Sequence, residues 1–324
     1  MNSKRWVAVG LVVLLLVVYA RTDVNKSVSA PEGLSLLTSK AFRTETYKEG
    51  SGDNIALIRV DGTIINQALS FSTDPAAYNH QSFLQQVEEA FTRPDIKAVV
   101  MAIDSPGGGL YESDEAYHKI MKMKEKHNKP LIVSMGSMAA SGGYYLAMPA
   151  DKIFAQRTTI TGSIGVIMSS YNYQELAKKI GIQEEVFKSG DNKDMLNPMR
   201  ATTDEERAIM QSIIDESYGF FVDVVAQGRK MDRQTVINLA DGRIYTATQA
   251  LNVGLIDGIG DLDAAIAEAG NMIQESDPNV LLFKNPPPYN MNWLLSLLSP
   301  QLDLLGFQKD MENIVPRPMY LYHS

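Results

Sequence analysis

The sequence predicts an α/β domain with a largely parallel sheet, preceded by a membrane anchor and followed by a helical C-terminal region. Three observations predict it. From Asn54 to Gly136 the chain reads strand, helix, strand, helix, strand, which is the order of an α/β fold. Within that stretch "IKAVVMAI" is apolar without a break, as a strand buried on both faces must be. Ahead of it all, Lys4 and Arg5 stand before an unbroken apolar run from Trp6 to Ala20.

Composition sets limits. Of 324 residues, 45% are hydrophobic and 21% charged, the balance of a globular chain with a well-buried core. The net charge of -8 leaves no basic excess to neutralise phosphates, so nucleic acid is excluded as a main partner. The chain has no cysteine, hence no disulfide and no thiolate metal site. No metal or cofactor is expected.

The apolar run of residues 6–20 is shorter than the ~20 residues of a full bilayer span. It is read as a retained signal anchor over residues 1–21, with Trp6 and Tyr19 at the two interfaces and the basic end inside. The competing reading is a signal peptide cleaved after Val18-Tyr19-Ala20. Either way the rest is exported. Residues 22–53 are polar and rich in Ser, Thr and Gly, which predicts a tether with at most a short helix over Leu34 to Ala41.

The body spans residues 54–275. "NIALIRV" is a strand by its apolar, β-branched content. Phe83, Leu84, Val87 and Phe91 recur at helical spacing until Pro94 ends the helix. After "IKAVVMAI" come a glycine loop, a helix through "SDEAYHKIMKMKEK", and the strand "PLIVSMG". "KIFAQ", "GSIGVIM" and "EEVFKSG" predict further strands, and "YNYQELAKKIG" a helix. From Thr203 on the chain is mostly helical, with Asp204 and Glu205 in the first turn of a long helix, where its dipole favours anions. Residues 276–324 form a C-terminal extension that holds the breaker "NPPPYN" and the apolar "WLLSLLSPQLDLLGF".

Two strand ends carry candidate chemistry. "AIDSPGGG", residues 102–109, has neither GxGxxG nor P-loop spacing. Three glycines can turn bare N–H groups toward an oxyanion, or serve a plain tight turn. In "SMAASGGYY", Ser141 stands where a short helix begins. A serine there caps helices, but a cap gains nothing from two following glycines, which weaken the first turn by roughly 1 kcal/mol each. A bare serine beside a glycine loop fits acyl transfer, with serine attacking and N–H groups holding the oxyanion. None of the four histidines, His80, His118, His127 and His323, stands in a catalytic setting. That turns attention to lysine, whose free pKa of about 10.4 falls on burial away from carboxylates. Lys188 and Lys193 in "FKSGDNKDM" are the candidates.

Together "DSPGGG", "SMAASGGYY", "DKIF", "TGSIGVIM" and "KSGDNKDM" closely resemble the signal peptide peptidase A family, the S49 serine peptidases, in their short Gram-positive form. The likeness runs from about Asn54 to Ile273. It implies a fold similar to Clp protease and crotonase, and a Ser-Lys dyad. By that resemblance Ser141 is the nucleophile, Lys193 the general base, Ser163 the hydroxyl that orients the lysine, and Gly108 and Gly142 the oxyanion donors. Asp194 beside Lys193 would oppose its task if it faced the amine. The resemblance further implies a homo-oligomeric ring or dome. Its substrates would be remnant signal peptides at the outer face of the cytoplasmic membrane. A crotonase-type acyl-CoA enzyme would share the fold but have no use for Ser141 or the anchor. A dead-site scaffold would not need Ser141, Ser163 and Lys193 together. Finally, "PRPMYLYHS" is an extended apolar tail, suited either to the chain's own substrate groove, to a subunit contact, or to disorder.

Overall fold

A computed structural model describes residues 42–66, 77–285 and 318–321. The expected anchor, the short helix near Leu34 and the stretch "WLLSLLSPQLDLLGF" lie outside them. Among the described residues no helix is long and apolar enough to cross a membrane.

The expected strand-helix alternation is present. β1 (Arg43–Lys48) and β2 (Asn54–Asp61) precede α1 (His80–Thr92). Next come β3 (Ile96–Ser105), β4 (Gly107–Gly109), α2 (Leu110–His127), β5 (Leu131–Ala140) and α3 (Gly142–Ala147). Two short strands, β6 (Lys152–Ala155) and β7 (Ile160–Gly162), lead to α4 (Gln174–Ile180) and a 3-10 turn (Asp191–Asp194). The helical part holds α5 (Asp204–Arg229), α6 (Arg233–Leu239), β8 (Ile244–Thr246), α7 (Ala247–Asn252), β9 (Gly258–Ile259) and α8 (Leu262–Met272). β10 (Asn279–Lys284) and β11 (Met319–Leu321) complete the described elements.

The main sheet has nine strands among the described residues, in the order β1-β10-β2-β3-β5-β6-β9, with β7 and β8 branching from β5. The run from β10 through β9 is parallel throughout. The continuous apolar reading of its centre has a simple cause. Ile55 and Leu57 of β2 join a core layer with Val100, Ile132 and Ile266. Their neighbours Ala56, Ile58 and Val60 join the opposite layer with Phe83, Tyr117, Tyr144 and Phe221. Each fully buried large side chain contributes roughly 1.5–3 kcal/mol. Helix ends are specified locally: Asn79 accepts the Ser82 N–H at the start of α1, and Thr203 and Glu206 form a reciprocal capping box on α5.

Four local expectations are revised. Residues 43–48, within the stretch read as a tether, pair antiparallel with β10, and β10 itself lies past the point where the pattern broke up. β5 does not end at Gly136 but runs to Ala140, because β7 gives Met138–Ala140 a second partner. The strand near "GSIGVIM" ends at Gly162, since Ser163 takes φ 50°. "EEVFKSG" is exposed and outside any strand.

Candidate active site

Ser141 sits where β5 turns into α3, with φ 52° and ψ -118° and 1% of its surface exposed. A non-glycine residue held there costs on the order of 1–3 kcal/mol, which surrounding structure must over-determine. The constraint is visible: the Ser141 N–H donates to Gly162 O at 2.8 Å, and its carbonyl accepts the Tyr145 N–H. The side chain makes no capping bond. The turn thus presents a hydroxyl rather than closing a helix, a strained strand-to-helix geometry that can carry a nucleophile.

The glycine stretch is not a loop. It is the strand β4, and the alternation of its donors singles out one residue. The Gly107 N–H donates to Ser105 Oγ and the Gly109 N–H to Ile64 O. The Gly108 N–H points to the other edge. A methyl group on Gly108 would lie 2.1 Å from Ile64 O, so the position admits only glycine. A methyl group on Gly142 would stand 2.5 Å from Ser113 Oγ and 3.1 Å from the Gly108 nitrogen, so these two backbones also approach closely. The Gly142 N–H, in the first turn of α3, has no partner within its helix.

That edge is occupied by the chain's own tail. Tyr320 pairs antiparallel with Gly108, Met319 with Gly109 and Leu321 with Gly107. On its far side Met319 exchanges two backbone bonds with Ile167, at 3.0 and 3.1 Å. Since successive residues of a strand face opposite edges, the N–H and C=O of Tyr320 face Gly108. The Tyr320 oxygen and the Gly142 nitrogen lie together over the α-carbon of Gly107, 2.1 and 2.6 Å from where a methyl group there would stand. The Tyr320 carbonyl therefore faces Gly108, with the Gly142 nitrogen close by, beside a serine at the strand end. Two backbone N–H groups placed this close can hold the negative charge of a tetrahedral intermediate. Among the described residues the tail is thus an ordered strand paired with β4 and Ile167.

Ser163 is buried, follows the residue that binds the Ser141 N–H, and lines a cavity of about 530 Å³ with Asp215, Tyr218 and Leu321. Ser141, Ser163, Gly108 and Gly142 are thus brought together, and Lys193 is not. Lys193 is exposed on the 3-10 turn, and among the described residues no hydrogen bond or ion pair joins it to Ser141. Its neighbour Asn192 bonds Glu205 in the first turn of α5. Glu205 is twelve residues, about 18 Å, from Ser217, whose carbonyl receives the Tyr320 hydroxyl. Asp194 does not face Lys193. It pairs with Lys188 at 2.8 Å and Arg200 at 2.7 Å, and Arg200, then Lys188, hold its carboxyl far below the usual range. Arg200 also pairs with Glu206, holding that carboxyl at about 2 with help from the Thr203 N–H. The stretch before this turn exposes several apolar side chains, Tyr171, Leu176, Ile180 and Phe187 among them, Phe187 by 95%. Sequence reasoning missed Ile64 and Ile167, which carry no chemical signal of their own.

Comparisons with known proteins bear on the family. The model of peptidase family S49 matches residues 123–274. A protein of Enterococcus faecium whose given name is that of a signal peptide peptidase, SppA, is 35% identical over 99% of both chains. A chloroplastic serine protease of Arabidopsis thaliana is 34% identical over 74% of this chain and 37% of its own length. "Protease 4" of Haemophilus influenzae is 30% identical over 80% of this chain and 43% of its own.

Proposed function

Because the chain belongs to peptidase family S49 and is a serine peptidase, we propose that Ser141 and Lys193 form its catalytic dyad and that it cleaves extended apolar peptides, remnant signal peptides among them. The observation that supports this reading is the tail strand, whose Tyr320 carbonyl faces Gly108 with the Gly142 nitrogen close by, next to Ser141. A peptide substrate enters the same way, as a strand added to β4. The mostly parallel sheet between helical layers suits a Clp protease-like fold. Residues 1–21 anchor the chain, and the peptidase domain faces outward from the cytoplasmic membrane.

In the first step the neutral amine of Lys193 takes the proton of Ser141 Oγ, and Oγ bonds to the substrate carbonyl carbon. The oxyanion so formed accepts from the N–H groups of Gly108 and Gly142. The Lys193 ammonium then protonates the departing nitrogen as the peptide bond breaks. Water, deprotonated by the same amine, attacks the acyl ester and frees the carboxylic product and Ser141. Ser163 orients the amine. The placement of Lys193 on an exposed turn beyond an apolar surface supports a dyad completed between copies of the chain. The homo-oligomer buries Tyr171 to Phe187 and delivers Lys193 of one copy to Ser141 of the next.

Ser141→Ala and Lys193→Ala are each expected to lose hydrolysis of a synthetic signal peptide, read by mass spectrometry of products. Co-assembling the two inactive proteins restores activity if each supplies the group the other lacks. Full activity of purified Lys193→Ala removes the dyad; inactive singles without recovery on mixing place both groups in one copy.

A further inference from the structure

The Tyr320 side chain fills a pocket that the proposed mechanism does not use. It is fully buried. Its ring stacks on Tyr145 with centroids 4.9 Å apart and meets Phe221 at 4.6 Å. Tyr117 packs edge-on against the far side of Tyr145 at 5.3 Å. At the closed end the Tyr320 hydroxyl donates to the Ser217 carbonyl at 2.9 Å. The pocket is fixed from behind: the Tyr145 hydroxyl donates to Asp114 at 2.7 Å, and Phe221 lies in the core layer. Since the Tyr320 carbonyl faces Gly108 with the Gly142 nitrogen close by and Ser141 next in the chain, this is the pocket for the residue whose carbonyl Ser141 attacks.

We propose that this pocket makes the enzyme selective for tyrosine on the N-terminal side of the cleaved bond, with phenylalanine second. The inference rests on Ser141 being the nucleophile. The physical argument has two parts. Aromatic walls on two sides favour a planar ring, because offset or tilted ring contacts add to the area buried. The acceptor at the closed end then separates tyrosine from phenylalanine. A site built to bond a hydroxyl discriminates against the analogue that lacks it, because its polar group is left without that partner. Here the loss is partial, since a carbonyl in mid-helix keeps its bond to the N–H four residues on. That lowers the expected preference to about 5- to 20-fold, well below a fully orphaned acceptor.

The test uses the full chain and a set of internally quenched peptides identical except at one position, carrying tyrosine, phenylalanine, O-methyltyrosine, leucine or alanine. Mass spectrometry locates the cleaved bond. The expected order in kcat/KM is tyrosine over phenylalanine by about 5- to 20-fold, with alanine at least 100-fold below tyrosine. O-methyltyrosine, which keeps the ring but cannot donate, is expected at or below phenylalanine. Equal rates for tyrosine, phenylalanine and O-methyltyrosine overturn the acceptor argument. Cleavage at a bond that ignores the varied residue overturns the pocket. Both results leave the peptidase reading standing if Ser141→Ala is inactive on the same peptides. Undiminished cleavage by Ser141→Ala instead removes the reading on which the inference rests.

Discussion

Replacing Tyr320 with alanine tests whether the tail strand competes with substrate. The tail is held by the β4 register, two bonds to Ile167 and the buried tyrosine. Truncating a buried aromatic side chain costs about 3–5 kcal/mol. The lost ring contacts with Tyr145 and Phe221, and the lost bond to Ser217, put this site within that range. Because β11 is a separate terminal segment, that loss falls on docking of the tail and not on the sheet. Even 3 kcal/mol weakens docking on the order of 100-fold. If the docked tail excludes peptide from β4, the variant's KM for a quenched tyrosine peptide falls about tenfold or more while kcat stays within twofold, since a competing intramolecular ligand acts on KM alone. A short peptide of sequence RPMYL added to the variant should restore the higher apparent KM. Unchanged KM, with no inhibition by that peptide, would refute the competition.

Other expectations concern the turn, the groove and pH. Ser141→Gly and Ser141→Ala are both inactive, but the glycine variant is the more stable by about 1 kcal/mol, because φ 52° strains alanine and not glycine; equal thermal midpoints would contradict the strain. Gly108→Ala pushes a methyl group against Ile64 O and displaces one oxyanion donor, lowering kcat by about 10²–10³ with secondary structure retained by circular dichroism. The rate should rise toward alkaline pH as the lysine base becomes neutral, and an optimum below about pH 6 would implicate another base. Glu206 is held at about 2, below its ordinary 4.5. A depressed carboxyl stabilises the fold above its unfolded pKa and loses that contribution as pH falls from about 4.5 toward 2. Arg200→Gln should flatten that acid slope in thermal unfolding, and an unchanged slope would show that Arg200 does not set it.

Much of the site was legible because its signals are local. A serine bounded by small residues, a run of three glycines and a helix after Thr203 with acids in its first turn each state a constraint that neighbouring residues impose on one another. The second glycine has a different reason, which is tertiary. A methyl group on Gly143 would lie 2.8 Å from Ser105 O, so its bareness serves packing of α3 on β3. Asp194 looked opposed to Lys193 only because sequence neighbours were compared; its carboxylate turns to Lys188 and Arg200.

The sequence by itself determined the alternation of elements, the two-sided burial of the central strands and the identity of the bare serine, because period, propensity and side-chain size act over a few residues. Only the tertiary structure decided that β1 and β10 add to the sheet, that the glycine run is a strand edge, and that a tyrosine near the chain's end lies buried beside Ser141. Those outcomes join residues more than 200 positions apart, and such pairings follow from which edges the folded core leaves open, a quantity no local pattern encodes.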